Sequence, residues 1–299
     1  MIIGIDVGGT FIKSALMSLD GKIQAKGKAL TEAQKGPGKV IENIKDAIRS
    51  VWTEGVTAIG IGMPGLVDMT TGIVRIPPNF KDWIEVDLKS PIENEFGVPT
   101  YIGNDANNYG LGEWQFGAGK GFNNLIVLTL GTGVGGAIIL NGKLYVGSRY
   151  AAGELGHVTI VTDGPQCNCG NRGCLESFIG THYLLHRASV LLKRNFREVR
   201  ELYELAVSGN WVARELFKEY GMYLGVALTN FIHIFDPDAI ILGGGVVNSF
   251  DLFKDSMFSE INKRVMKIPG RENLVLKSKL GDEAGILGSF YLARKNGRV

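Results

Sequence analysis

Residues 2–13 read Ile2-Ile3-Gly4-Ile5-Asp6-Val7-Gly8-Gly9-Thr10-Phe11-Ile12-Lys13, and residues 125–140 open on Leu125-Ile126-Val127-Leu128-Thr129-Leu130-Gly131-Thr132-Gly133 before a second apolar run over 136–140. Each stretch is an apolar run, a glycine turn carrying a threonine, and another apolar run. Asp20-Gly21 closes the first and Asn141-Gly142 the second. Apolar runs between turn signals predict strands, and the closing pairs predict hairpins. The likeness is architectural, not residue by residue, and it predicts two related α/β domains with a cleft between them. The glycine-rich link Gly117-Ala118-Gly119-Lys120-Gly121 is the expected boundary. The expected division is residues 1–116 and 117–282, with a final helix at about 283–299 free to pack back onto the first domain.

Outward from these two stretches the periods alternate. Val40, Ile41, Ile44, Ile48, Val51 and Trp52 recur at helical spacing over 39–52, and Leu88, Ile92 and Phe96 over 88–96. Short apolar runs at 57–62 and at Tyr101-Ile102 predict strands, the latter reaching Asn104-Asp105 and a helix to about Trp114. The second half predicts helices over 175–193, 198–208, 210–235, 251–266 and 283–295. Between two of these Ala239-Ile240-Ile241-Leu242 predicts a buried strand that ends in Gly243-Gly244-Gly245.

The chain has 299 residues, room for about two domains with substantial cores. Hydrophobic residues make up 45% and charged residues 21%, which excludes disorder and collagen. A net charge of +2 gives no electrostatic case for nucleic acid or an anionic membrane. No basic N-terminal region leads into an apolar stretch, and no apolar run approaches a bilayer span, so the expected location is the cytoplasm. The 42 glycines, twice the usual share of about 7%, predict tight turns and close backbone approaches to a ligand.

The motifs carry the chemistry. Asp6 followed by Gly8, Gly9 and Thr10 suits a phosphate loop: glycine N–H groups reach phosphate oxygens, and the aspartate can hold Mg²⁺ through water. A plain hairpin turn is the competing reading. Leu130-Gly131-Thr132-Gly133 suits a second such loop, facing the first if the halves are duplicated. The GxGxxG patterns at 60–65 and 131–136 do not open helices, so a dinucleotide fingerprint is rejected. Gly119-Lys120 is followed by Gly121, which excludes a P-loop. All three cysteines, Cys167, Cys169 and Cys174, lie within eight residues, and His157 precedes them. Together they predict a closed, structural Cys₃His zinc site rather than three buried small hydrophobes. His182, His186 and His233 fall on helical patterns and read as packing or surface residues. Asn104-Asp105 sits where a strand meets a helix, a usual place for catalytic groups, although Asp105 could serve as a helix cap. Glu154 and Glu176 flank the cysteine loop. Asn79, near Trp83, is loop punctuation when read alone.

Taken in order, Asp6-x-Gly8-Gly9-Thr10-x-x-Lys13, Gly62-x-Pro64-Gly65, Asn104-Asp105, Glu154-Leu155-Gly156-His157 and Cys167-x-Cys169-Gly170-x-x-Gly173-Cys174-x-Glu176 resemble the ROK family of bacterial sugar kinases and repressors, most of all its glucokinase branch, over the whole chain. The resemblance implies an α/β, two-domain actin-like ATPase (ribonuclease H-like) fold with a cleft between duplicated domains. It implies Asp105 as catalytic base, and Asn104, Asp105, Glu154, His157 and Glu176 on the sugar hydroxyls. Gly65 and Asn79, in Pro78-Asn79-Phe80-x-x-Trp83, resemble further sugar contacts. His157 is thereby asked to hold zinc through one ring nitrogen and meet the sugar through the other. Asp6, Gly8, Gly9, Thr10, Lys13, Thr132 and Gly133 match the ATP phosphate region, and Gly243, Gly244 and Gly245 the approach to the adenosine. The family's repressors carry an N-terminal helix-turn-helix before the first motif. Here that motif begins at residue 6, so binding to nucleic acid is not expected.

The implied reaction is phosphoryl transfer from MgATP to the 6-hydroxyl of a hexose, glucose to glucose 6-phosphate, with a homodimer as the family expectation. Kinases for N-acetylmannosamine, N-acetylglucosamine, fructose or allose share the motifs, and polyphosphate is an alternative donor. A non-catalytic sugar sensor is the reading from a different class. The intact Asp105 and the missing DNA-binding segment disfavour it.

Overall fold

A computed structural model describes residues 1–268 and 274–297. They form two compact units. The first holds Met1–Phe122, Ala137–Gly153 and the chain from Lys279 onward; the second holds Asn123–Gly136 and Glu154–Ser278.

The first sheet has the order β3-β2-β1-β4-β8. Its centre is β1 (Ile2–Val7), whose apolar run is buried on both faces. It pairs antiparallel with β2 (Phe11–Met17) and parallel with β4 (Ala58–Met63), which pairs parallel with β8 (Thr100–Asn104). The edge strand β3 (Ile23–Leu30) escaped the sequence reading. Its Ile-Gln-Ala-Lys-Gly-Lys-Ala-Leu alternation is weak, and outward lysines of this kind blunt a sheet edge against pairing with another chain. Helix α1 (Pro37–Arg49) starts on a proline at its first position and buries Val40, Ile44, Ala47 and Ile48 in the core beside β1 and β4. A three-stranded ribbon of β5 (Leu66–Val67), β6 (Ile73–Arg75) and β7 (Val86–Asp87) also went unread, because its strands are two or three residues long. Helix α2 (Lys89–Phe96) ends at Gly97 in the left-handed conformation. Helix α3 (Asp105–Phe116) follows β8 without a loop.

The second sheet has the order β11-β10-β9-β12-β13. It contains β9 (Leu125–Leu130), β10 (Val134–Leu140) and β11 (Lys143–Leu144). The expected Asn141-Gly142 turn joins the last two, with φ of +50° and +67° as a primed hairpin turn requires. The expected helix at 175–193 is interrupted at Gly180. It consists of α4 (Glu176–Ile179) and α5 (Thr181–Leu192), because the Thr181 N–H donates to the Gly131 carbonyl instead of to its own helix. Helices α6 (Val199–Val207), α7 (Trp211–Phe235) and α8 (Phe250–Arg264) follow, with β12 (Ala239–Gly243) between the last two, parallel to β9. Strand β13 (Val275–Lys277) pairs parallel with β12. The last helix, α9 (Ala284–Asn296), packs against α3, β1 and β4 in the first unit, burying Ile286, Leu287, Phe290 and Ala293 with Ile2, Met17 and Ala58. Among the described residues no helix is long and apolar enough to cross a membrane.

Candidate functional site

In the first unit the parallel strands β1, β4 and β8 end at one level: Asp6 is in register with Gly62, and Met63 with Asn104. In open α/β sheets the carboxyl ends of parallel strands are where ligands bind. Asn104, not Asp105, is the N-cap of α3. Its Oδ1 accepts the Asn107 N–H at 3.0 Å, and its Nδ2 donates to the Gly65 carbonyl at 3.0 Å. Asp105 occupies the first helical position, where its Oδ1 accepts the Ala106 N–H at 2.8 Å and its charge faces the positive end of the helix. Gly65 takes φ +90°, and a Cβ there would meet the Arg75 carbonyl and the Pro77 Cα at 2.8 Å, so the turn that presents its carbonyl to Asn104 requires glycine.

The Asp6 carboxyl is pushed up to about 6, first by burial, then by the charges of Asp105 and Asp282, with Lys13 opposing. It lies against Gly285 in the first turn of α9, where a Cβ would come within 2.8 Å of it. Lys13, opposite Asp6 on β2, sits 3.3 Å from the Asp282 carboxylate. Sequence reasoning reads Gly281-Asp282-Glu283 only as the acidic lead-in to the final helix and gives Asp282 no place at the site. In the turn after β1 the Gly8 N–H donates to the Phe11 carbonyl at 2.9 Å, and the Thr31 hydroxyl donates to the Gly8 carbonyl at 2.6 Å. Gly9 and Thr10 are exposed. Asn79 is also exposed, at φ +67°, on a turn anchored by buried Phe80 and Trp83; its carbonyl accepts from Gln34 Nε2 at 2.8 Å.

In the second unit the turn at Gly131-Thr132-Gly133 and the turn at Gly243-Gly244-Gly245 leave neighbouring parallel strands, with Gly243 in register with Thr129. Gly244, at φ +86°, packs on the Leu130 backbone. Glu176, first residue of α4, sends Oε2 to the Val134 N–H at 2.8 Å and lies across Gly133. Gly9, Gly131 and Gly245 share a different property. None has a positive φ, and a Cβ on any of them would meet nothing within 4 Å. Neither conformation nor packing within the described chain accounts for glycine at these three turn positions.

The predicted zinc ligands converge. Ligand atoms of His157, Cys167, Cys169 and Cys174 all lie within 4.8 Å of one another. Cys169 and Cys174 sulfurs are 3.7 Å apart, and His157 Nδ1 is 3.6 Å from Cys167 Sγ. A tetrahedral zinc about 2.3 Å from each thiolate sulfur sets sulfurs about 3.8 Å apart, so donor set and spacing both fit the ion. Burial pushes the Cys174 thiol up to about 12, and a cation at this centre would replace that proton. The other ring nitrogen, Nε2 of His157, is 3.8 Å from the Glu154 carboxylate. Glu154 is raised by burial and by Glu176, with His157 opposing. Glu176 Oε1 is 3.9 Å from Cys167 Sγ, so one carboxylate ties the cysteine loop to the start of β10. His182, His186 and His233 are exposed on helices and join no cluster among the described residues.

The sequence pattern of the ROK family matches residues 2–296. A glucokinase from Thermotoga maritima is 35% identical, covering 98% of this chain and 97% of its own length. A xylose repressor from Bacillus subtilis is also 35% identical, covering 96% of this chain and 75% of its own length. A ROK family glucokinase from Streptomyces griseus, solved with glucose and AMPPNP, superposes with a TM-score of 0.83 at 34% identity, covering 98% and 99% of the two chains. The two sheets with their crossing helices are therefore the two-domain actin-like ATPase fold, and by sequence and fold alike the chain belongs to the ROK family.

Proposed function

We propose that the chain is a hexose kinase that transfers the γ-phosphoryl group of ATP to a sugar 6-hydroxyl, with glucose as first substrate. The observation that carries this is the pair of carboxylates at the strand ends: Asp105 opens α3 close enough to Asp6 for its charge to help raise that group. The named relatives support it, since a glucokinase matches nearly end to end.

In this reading Asp105 hydrogen-bonds the 6-hydroxyl and accepts its proton while the sugar oxygen bonds to the γ-phosphorus. The bond from that phosphorus to the β–γ bridging oxygen breaks, and ADP leaves. A carboxylate is a weak base for an alcohol, but in a loose transition state positioning dominates and the proton leaves late. Asp6 beside Asp105 is a like-charge crowd that a divalent cation offsets, so the pair fits Mg²⁺, which supplies neutralisation of phosphate charge when bound. Gly9, Gly131 and Gly245, which the fold does not require to be glycine, leave open backbone for phosphate and nucleotide. Asn104, Glu154, His157 and Glu176 are assigned to sugar hydroxyls, and Gly65 and Asn79 to further sugar contacts. Zinc is structural: with four protein ligands no position remains for substrate.

The test is ADP release with MgATP against glucose, fructose, allose, N-acetylglucosamine and N-acetylmannosamine. Glucose turnover that falls about 100-fold or more in Asp105→Asn supports glucokinase and base together. Turnover confined to an acetamido sugar keeps the kinase and replaces the substrate. One observation favours a second reading, a sugar-responsive regulator: the xylose repressor is as similar as the glucokinase. Sugar binding without turnover selects that reading.

A further inference from the structure

We propose that the buried Asn108–Ser289 pair is a positioning device that holds Asp105 and Asp6 in register, so that its loss lowers turnover rather than affinity. The inference rests on the kinase reading above.

Ser289 of α9 is fully buried, and Asn108 of α3 is 1% exposed. The Ser289 hydroxyl accepts Asn108 Nδ2–H at 2.9 Å. It lies 2.7 Å from the Ile5 carbonyl and 2.8 Å from the Gly285 carbonyl, which share its single proton. Each partner leads to a functional group. Ile5 precedes Asp6 on β1, and Gly285 lies against the Asp6 carboxyl. Asn108 stands one helical turn after Asp105 on the same side of α3. One oxygen thus fastens the strand that carries one carboxylate to the helix that opens with the other.

The surroundings are shaped to this pair. A Cβ at Gly103 would come within 2.4 Å of Asn108 Oδ1, and one at Gly62 within 3.1 Å of Nδ2 and 3.2 Å of Ser289 Oγ. A Cβ at Gly288 would come within 1.6 Å of the Asn108 carbonyl oxygen. Asn108 Oδ1 itself has no hydrogen-bond partner among the described residues. An apolar pair would fill this space without leaving a buried polar atom unpaired. What directional bonds add over apolar packing is a fixed register between the elements they join. In a reaction governed by positioning, a loss of register appears in the turnover step.

Ser289→Ala removes one oxygen and creates no clash. The expected result is a fall in kcat of about tenfold, with KM for sugar and for MgATP within threefold, and a loss of about 2–4 °C in Tm. Phe290→Leu, one residue along the same helix and buried in its core, is the control. It should lose at least as much Tm while kcat stays within twofold. Asn108→Ala should lower kcat similarly, and the double variant should fall no further than the larger single loss, because the two act as one unit. If Ser289→Ala fails to fold, Asn108→Ala, which leaves the Ile5 and Gly285 contacts in place, decides the matter against the same control. The proposal is overturned if either variant keeps kcat within twofold, if the losses in the double variant add, or if Phe290→Leu loses kcat in parallel with Tm. An inactive parent enzyme overturns the kinase reading and with it this role for the pair.

Discussion

Asp6 is a buried carboxylate whose environment opposes its charge. Its pKa is raised from 3.8 to about 6, so the folded state favours the neutral form. The stability this provides is complete below about pH 4 and is lost as pH rises through 6. Asp6→Asn stays neutral throughout. It should therefore be more stable than the parent at pH 7–8, by up to about 3 kcal/mol, with the difference vanishing near pH 4. Urea unfolding in magnesium-free buffer at pH 4, 6 and 8 reads this directly. A difference that stays constant with pH would sink the argument. The same variant should lose phosphoryl transfer, a trade of stability for function. At this scale the Cys₃His cluster was the most legible part of the sequence, because three cysteines in eight residues leave little else to read. The division of labour between Asn104 and Asp105 was not legible. Either residue type caps a helix, and only the bond from Asn107 N–H to Asn104 Oδ1 assigns the cap to Asn104 rather than Asp105.

Among the elements, the cysteine loop contains no helix or named strand and is held by turn and bridge hydrogen bonds. Two isolated bridges hold its ends, Thr159 with Cys174 and Gln166 with Arg172, and Glu176 connects it to β10. In the reading proposed above, an ion would gather the three sulfurs and His157, in addition to backbone bonds such as Cys167 N–H to the Asn171 carbonyl and Gly173 N–H to the Pro165 carbonyl. Cys169→Ser should lose zinc, measured by atomic absorption, and sugar turnover should fall with it, whereas the second sheet should keep its far-ultraviolet dichroism. Undiminished turnover after verified zinc loss would show that Glu154, His157 and Glu176 do not need the metal to converge. Elements with strong period were legible: β1, β9 and α7 lie within one residue of expectation and α1 within three. The ribbon of β5 to β7 was not, because two residues carry no period. The helix at 175–193 was drawn through Gly180 because its apolar spacing continues on both sides, and the bond that interrupts it comes from a turn 50 residues earlier in sequence.

Across the whole molecule, the duplicated strand–turn–strand pattern announced two α/β sheets, but the pairing of α9 with α3 lay beyond sequence reasoning. Asn108 and Ser289 are 181 positions apart, and each alone is an ordinary polar helix residue. The buried glycines Gly62, Gly103 and Gly288 become explicable only when the pair between them is seen. The placement of α9 also has a consequence for biosynthesis. A ribosome delivers β1 long before α9, and the Ser289 hydroxyl meets the Ile5 carbonyl across 284 positions. Until α9 leaves the exit tunnel, the cluster of Ile2, Met17 and Ala58 on β1, β2 and β4 lacks the α9 side chains that bury it. The second unit, whose segments are complete by Ser278, has no such wait. Nascent chains tethered to the ribosome so that Ser278, but not α9, has cleared the exit tunnel should therefore show a protease-resistant second unit and a first unit that is still cleaved and held by chaperones. Resistance of both units at that length would mean that α9 only finishes a domain already folded. The N-terminal half of this enzyme would then not be the last part of it to become native.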